Sequence, residues 1–301
     1  MISCGMLGVP SFSFFGLFDI AYYGVIIATG IIVAFGVGLF LLKKANYKDD
    51  IAYLIILICV PLGFVFARLY YITFDGWGNY KTFMDVIAVW NGGIAIYGGV
   101  IGAAIGLIII TKAIKKCGFF TVADIGVICL IIAQSIGRWG NFVNDEAYGL
   151  CVNSKVVIPF VVPGNDCPTC GGVQNHIGTF FIESMLNLIG FALLLYIFLK
   201  TQKVRDSNSA ETAKTRNKWG VTTACYLIWY GVVRAIIEPL RMDSLLMFGD
   251  NPIIFNRVSF MLSLALIIMG VLLLWAVKRG WISQENKKCL RTKETDTKKP
   301  K

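Results

Sequence analysis

The chain has 301 residues, 56% hydrophobic and 15% charged, with a mean hydropathy of +0.70. Soluble domains carry about 25% charged residues, so this composition excludes an ordinary soluble fold and leaves room for about seven membrane spans of ~20 residues. The formal net charge of +10 would suit nucleic acid, but no nucleic-acid-binding module accompanies it, and its placement points to a membrane instead.

The N-terminal stretch MISCGMLGVPSFSFFG contains no basic residue. A secretory signal opens with a positive region, so the first apolar stretch is expected to be a retained helix. Apolar runs predict spans at 17–42, 51–73, 92–111, 121–137, 177–199, 219–240 and 255–277. In the third, glycines 98, 102 and 106 have the spacing that lets helices pack closely. The glycines flanking Tyr97 would also let a substrate approach the backbone. At the fourth, Thr121 and Asp124 resemble a capping box at a helix start. Residues 150–176 form a loop of Val-rich pieces with Pro and Gly, suited to a small hairpin. Its CPTC run, Cys167 to Cys170, fits a disulfide, free thiols, or a zinc site completed by Cys151 and His176.

Lys and Arg alternate between loops. Residues 43–50, 111–118, 200–218 and 278–301 together hold 21 of the 28. The positive-inside rule then places the N-terminus outside and the C-terminus in the cytoplasm. The expected architecture is an all-α polytopic membrane protein of about seven helices. Residues 1–280 form one transmembrane domain, 150–176 an outer loop insertion, and 281–301 a basic cytoplasmic tail touching anionic lipid.

This topology gives the intramembrane polar residues a depth. Arg68, Arg138, Arg234, Arg241 and Arg257 all fall at the outer level, with several tyrosines, Asn141 and Glu146. Ionisable groups in lipid are costly and face a bundle interior or a wet cavity. In YGVVRAIIEPLR, the spacing puts Tyr230, Arg234, Glu238 and Arg241 on one helical face, although Pro239 would weaken the helix there. A structural Arg234–Glu238 ion pair is the plainer reading of that face. Arginine forks match phosphate oxygens, so the set suits an anionic phospholipid headgroup.

The run GRWGNFVNDEAYG, residues 137–149, resembles the signature G-R-x-G-N-F-x-N-x-E-x-x-G of the bacterial prolipoprotein diacylglyceryl transferases. It matches at Gly137, Arg138, Gly140, Asn141, Phe142, Asn144, Glu146 and Gly149. YYGVIIATG at Tyr23, GGIAIYGGVIGA around Tyr97 and YGVVRAIIEPLR resemble further motifs of the family, in order. The resemblance implies a multi-pass enzyme of the bacterial plasma membrane. It would move the diacylglyceryl group of phosphatidylglycerol to the lipobox cysteine thiol of a preprolipoprotein, forming a thioether and releasing glycerol 1-phosphate. It further implies that Arg138 and Arg234 hold the phosphodiester and that Asn141 and Glu146 order that site. Glu238 and Arg241 would orient Arg234, and Tyr23, Tyr230 and Gly149 would belong to the lipid-binding cavity. The nucleophile belongs to the substrate, so the reaction calls for orientation and charge stabilisation, with no metal or organic cofactor.

Two positions depart from the family pattern. Many members carry His where this chain has Tyr97. A phenol is a poor base at neutral pH unless nearby cations help. Tyr97 either has that help or positions groups while a carboxylate or water takes the proton, and the second reading is preferred. In HIGTFFIES, aligned on Thr179 and Glu183, Ile177 takes the family's His position and His176 falls one place early, so His176 reads as a loop residue. Two rivals remain in outline. An anion transporter would need polar groups on both sides of the midplane. A non-catalytic phospholipid-binding scaffold would not need the arginines together with Asn141 and Glu146. A seven-helix retinal receptor would need a lysine in the last span, and 255–277 has none.

Overall fold

The computed structural model describes residues 11–14, 18–75, 80, 82–87, 93–114, 118–144, 149–152, 161–163, 175–206, 219–241 and 257–282. Seven helices in it are long and apolar enough to cross a membrane. They are α1 (Tyr22–Lys44), α2 (Asp50–Phe74), α3 (Ile96–Ile114), α4 (Phe119–Val143), α5 (Thr179–Gln202), α6 (Val221–Leu240) and α7 (Val258–Lys278). Large apolar side chains such as Ile32, Leu57, Phe74, Ile189 and Leu272 point outward from them. Helices apolar on every side are at home in lipid, so this is a multi-pass membrane protein.

The helices follow the expected spans closely, with three informative differences. The first helix was expected from residue 17, but residues 18–21 are a strand. β1 (Ser11–Phe14) pairs antiparallel with β2 (Phe18–Ala21), Ser11 opposite Ala21. The sequence SFSF alternates polar and apolar with the period of a strand, and that local pattern prevails over overall hydrophobicity. The fourth helix starts at Phe119, so Thr121 and Asp124 lie buried inside it rather than capping it. It also runs on to Val143 rather than stopping at 137, carrying Arg138 and Asn141 in its last turns. Packing explains that extension. Trp139 Nε1 donates to Ser184 Oγ at 3.1 Å, and the Phe142 ring stacks on Phe180 at 4.8 Å. These contacts offset the low helix propensity of Gly137 and Gly140. In the 150–176 loop, β3 (Val161–Pro163) pairs antiparallel with β4 (Asn175–Ile177), which gives the expected small hairpin.

The described residues of Met1–Gly36 and Gly126–Ile282 form one compact unit, and those of Val37–Ile125 a second. In the first unit, α4 and α5 are joined by a reciprocal pair of hydrogen bonds. Ser135 Oγ donates to the Ser184 carbonyl, and Ser184 Oγ to the Ser135 carbonyl, both at 2.9 Å. α6 and α7 approach through Gly231 and Gly270. A Cβ at Gly231 would lie 2.8 Å from the Ser263 carbonyl oxygen, and one at Gly270 would lie 2.8 Å from that of Ala224. Small residues let backbones come this close, and apolar lipid supplies no hydrophobic force to substitute for that contact.

In the second unit, α2 and α3 pack along the expected glycine stripe. The Cβ positions of Gly98, Gly102 and Gly106 are filled by Phe66 and Tyr70, by Leu62 and Phe66, and by Cys59. The space beside Gly98 therefore belongs to α2 and is closed to a substrate. Arg68 clasps the segment before α3. Its Nε donates to the Val86 carbonyl at 2.8 Å, Nη1 to that of Gly93 at 2.9 Å, and Nη2 to that of Asp85 at 2.7 Å. Gly93 has φ +77°, where a side chain would be strained and would strike Arg68 and Tyr71.

Candidate functional site

Three helices of the first unit bring charged groups together. Arg138 comes from α4, Glu183 from α5, and Arg234 with Glu238 from the end of α6. Glu183 bridges the two arginines. Its Oε2 lies 2.5 Å from Arg138 Nη2, and its Oε1 accepts from Arg234 Nη1 at 3.3 Å. Arg234 Nη2 lies 3.0 Å from Glu238 Oε2, one helical turn on, and donates to Ser259 Oγ at 3.4 Å. Glu183 is 5% exposed and Glu238 is fully buried. Carboxylates this deep persist as ions only when paired, and each has a guanidinium beside it. The Glu238–Arg234 contact lacks hydrogen-bond geometry, and among the described residues no hydrogen bond reaches either Glu238 carboxylate oxygen.

The arginines keep some access, with side chains 20% (Arg138) and 15% (Arg234) exposed. Among the described residues Glu183 is the one polar partner of Arg138, so Nε and Nη1 remain open to an anion. Trp139 and Ser184, the chain neighbours of Arg138 and Glu183, line with Ile26, Thr29, Ile136 and Leu188 an open groove of about 270 Å³ between α1, α4 and α5. Two guanidiniums drawn together from different helices suit an anion with several oxygens, such as a phosphate group.

The other sequence-derived residues divide. Pro239 ends the regular helix as expected. α6 is α-helical to Ile237, Glu238–Leu240 make one 3₁₀ turn, and Arg241 is extended. Glu238 thus keeps its place below Arg234 while Arg241 leaves that face. Arg241 forms an antiparallel bridge with Gly149. Gly149 has little room, since a Cβ there would lie 2.7 Å from the Ile177 carbonyl oxygen. His176 is buried in β4, with Nδ1 3.3 Å from the Gly149 carbonyl oxygen. The Tyr23 ring occupies the space where Gly140 lacks a side chain, Cδ2 falling 2.6 Å from an ideal Cβ. Tyr230 stacks on Tyr226 at 5.8 Å, and Tyr226 exchanges hydrogen bonds with Gln134. Asn141 is half-buried in the last turn of α4.

Of the five arginines expected at one level, Arg68 and Arg257 hold main chain. Arg68 binds three carbonyls, as described above. Arg257 Nη1 donates to the carbonyl oxygens of Glu238 and, at 3.4 Å, of Arg241. Tyr97 opens α3 in the second unit, its ring 6.1 Å from that of Tyr70, and no described guanidinium contacts it. Glu146, Cys167 and Cys170 lie outside the described residues. Cys151 is in a disulfide, which removes it from the four-ligand zinc set that the loop composition allows.

Glu183 is absent from the sequence-derived set, yet two arginines converge on it. Its signal was an acid inside an otherwise apolar span, a costly placement that calls for a partner.

These features define a class: a multi-pass membrane protein whose helices gather an anion-suited arginine pair around a buried carboxylate. Residues 10–276 match the family model of prolipoprotein diacylglyceryl transferase, and the chain belongs to that family. A phosphatidylglycerol–prolipoprotein diacylglyceryl transferase of Finegoldia magna is 36% identical over 279 residues, covering 92% of this chain and 98% of the relative. The protein of that name from Streptococcus agalactiae is 37% identical, covering 86% of this chain and 92% of its own length. The one from Listeria monocytogenes is 35% identical over 85% of both chains.

Proposed function

We propose that this protein transfers the diacylglyceryl group of phosphatidylglycerol to the lipobox cysteine thiol of preprolipoproteins, leaving a thioether and glycerol 1-phosphate. The observation that carries the reading is the convergence of Arg138 and Arg234, from different helices, on one carboxylate. Family membership and the names of the relatives support the same reaction.

The chemistry asks for what these residues offer. The lipobox thiol loses its proton and attacks the glycerol carbon that carries the phosphate ester. The C–O bond breaks and the phosphate departs with the electron pair. Arg138, through its open donors, and Arg234 hold the phosphodiester and stabilise the charge that grows on the leaving oxygen. Asn141 and Glu146 order that site. Glu238 fixes Arg234 from one turn away, and Arg241 with Gly149 ties down the end of α6. Tyr23 and Tyr230 line the cavity, and the groove takes an acyl chain. Tyr97 positions groups, while a carboxylate or water takes the thiol proton. Among the described residues the Tyr97 ring lies against the Tyr70 ring, which supports a positioning role. The protein acts in the bacterial plasma membrane with its N-terminus outside, residues 1–280 forming the transferase domain and 281–301 a basic cytoplasmic tail.

The test is direct. Purified protein in detergent, given phosphatidylglycerol and a lipobox peptide, should convert the peptide to a species heavier by one diacylglyceryl group. Folded protein that binds phosphatidylglycerol and leaves the peptide mass unchanged would count for a lipid-binding scaffold instead.

A further inference from the structure

A site built only to hold an anion gains nothing from a carboxylate between its two cations. Yet Glu183 stands there, 2.5 Å from Arg138 and 3.3 Å from Arg234. Glu238 lies 3.0 Å from Arg234, one turn further along the same helix. Two guanidiniums are thus matched by two carboxylates, and this cluster of four has no formal net charge. Glu183 is buried, so water screens its field weakly and an arriving anion feels it strongly. The substrate and product of the proposed transfer differ in charge at this point. A phosphodiester carries one negative charge, whereas a phosphate monoester carries about 1.5 to 2 at neutral pH. A fixed carboxylate therefore opposes the product more than the substrate.

We propose that Glu183 is a positioning residue with a second role. It holds Arg138 and Arg234 at a common distance from one anion site, and its charge weakens retention of the phosphate monoester so that the product leaves. No covalent step passes through it. This inference rests on the transferase reading of the site.

The test compares wild type, Glu183→Gln and Glu183→Asp in detergent with phosphatidylglycerol and a lipobox peptide. It reads kcat, KM for the lipid, and inhibition by added glycerol 1-phosphate. Removing the charge in Glu183→Gln should lower the inhibitory concentration of glycerol 1-phosphate about tenfold or more, the scale of one charged hydrogen-bonding partner. Both kcat and KM should fall, since product release becomes limiting. Glu183→Asp keeps the charge but is too short to span both arginines. Its turnover should drop, with inhibition by glycerol 1-phosphate within about threefold of wild type. If Glu183→Gln does not fold, Glu183→Ala, which removes the charge without setting an amide against the guanidiniums, is read in its place. Unchanged product inhibition in the charge-removing variant, or a KM that rises as kcat falls, overturns the second role. If wild type transfers and only this pattern fails, the transferase reading stands. Wild type that transfers nothing overturns both.

Discussion

At the scale of single residues, the site is defined by which donors are already engaged. Arg68 and Arg257 use theirs on carbonyl groups, and among the described residues Glu183 is the one polar partner of Arg138. Charge alone does not separate these roles. Arg138→Lys keeps the charge but loses the planar fork, so transfer should fall about tenfold or more, the loss appearing in kcat/KM for phosphatidylglycerol. Arg68→Lys lacks the three-way clasp. It should lower the melting temperature in detergent while the remaining folded protein keeps its KM. For Tyr97, positioning predicts that Tyr97→Phe retains turnover within a few-fold. General-base catalysis is worth about 10²–10⁴, so a loss of that size would make the phenol the proton acceptor. The sequence carried Arg138, Arg234 and Glu238 clearly, because each is an ionisable residue in an apolar run. It hid Glu183 for a physical reason. A carboxylate reads as a site residue only when its partners are known, and these come from helices 45 and 51 positions away.

At the scale of elements, close helix approach rests on glycines whose side-chain space is already filled. A methyl at Gly102 would meet Phe66 Cβ at 2.9 Å and strike the Leu62 carbonyl oxygen. Gly102→Ala should therefore destabilise the α2–α3 pair by about 1–3 kcal/mol, seen as a lower melting temperature in detergent. Gly126→Ala is the control, since nothing lies within 4 Å of a Cβ there. Equal effects at the two positions would mean that helix propensity, and not packing, sets the response. The spacing 98–102–106 was readable in the sequence because it is a local repeat. The end of α4 was not, since the helix continues past Gly137 and Gly140 on contacts from Ser184, Phe180 and Tyr23. The N-terminal hairpin escaped a reading by hydrophobicity because lipid-spanning helices and apolar strands share composition. The period-two alternation of SFSF was the discriminating signal.

At the scale of the whole molecule, seven spans were legible because a helix that must cross lipid needs a long apolar run with few charges. The 21 of 28 basic residues in alternate loops predict, by the positive-inside rule, a cytoplasmic C-terminus. A fluorescent protein fused after Lys301 should therefore fold and glow in the cytoplasm, and an alkaline phosphatase fused there should stay inactive. An active phosphatase would reverse the topology and place the arginine cluster on the cytoplasmic side. In the proposed reaction Arg138 and Arg234, held by Glu183, bind the phosphate that departs. The most direct measurement is glycerol 1-phosphate release from phosphatidylglycerol in the presence of a lipobox peptide, for wild type, Arg138→Ala and Arg234→Ala, each confirmed folded. Wild type should release glycerol 1-phosphate in step with peptide modification, and each alanine variant should lose about 10²-fold or more. Release at the wild-type rate by either folded alanine variant would contradict the account and move the chemistry elsewhere in the molecule.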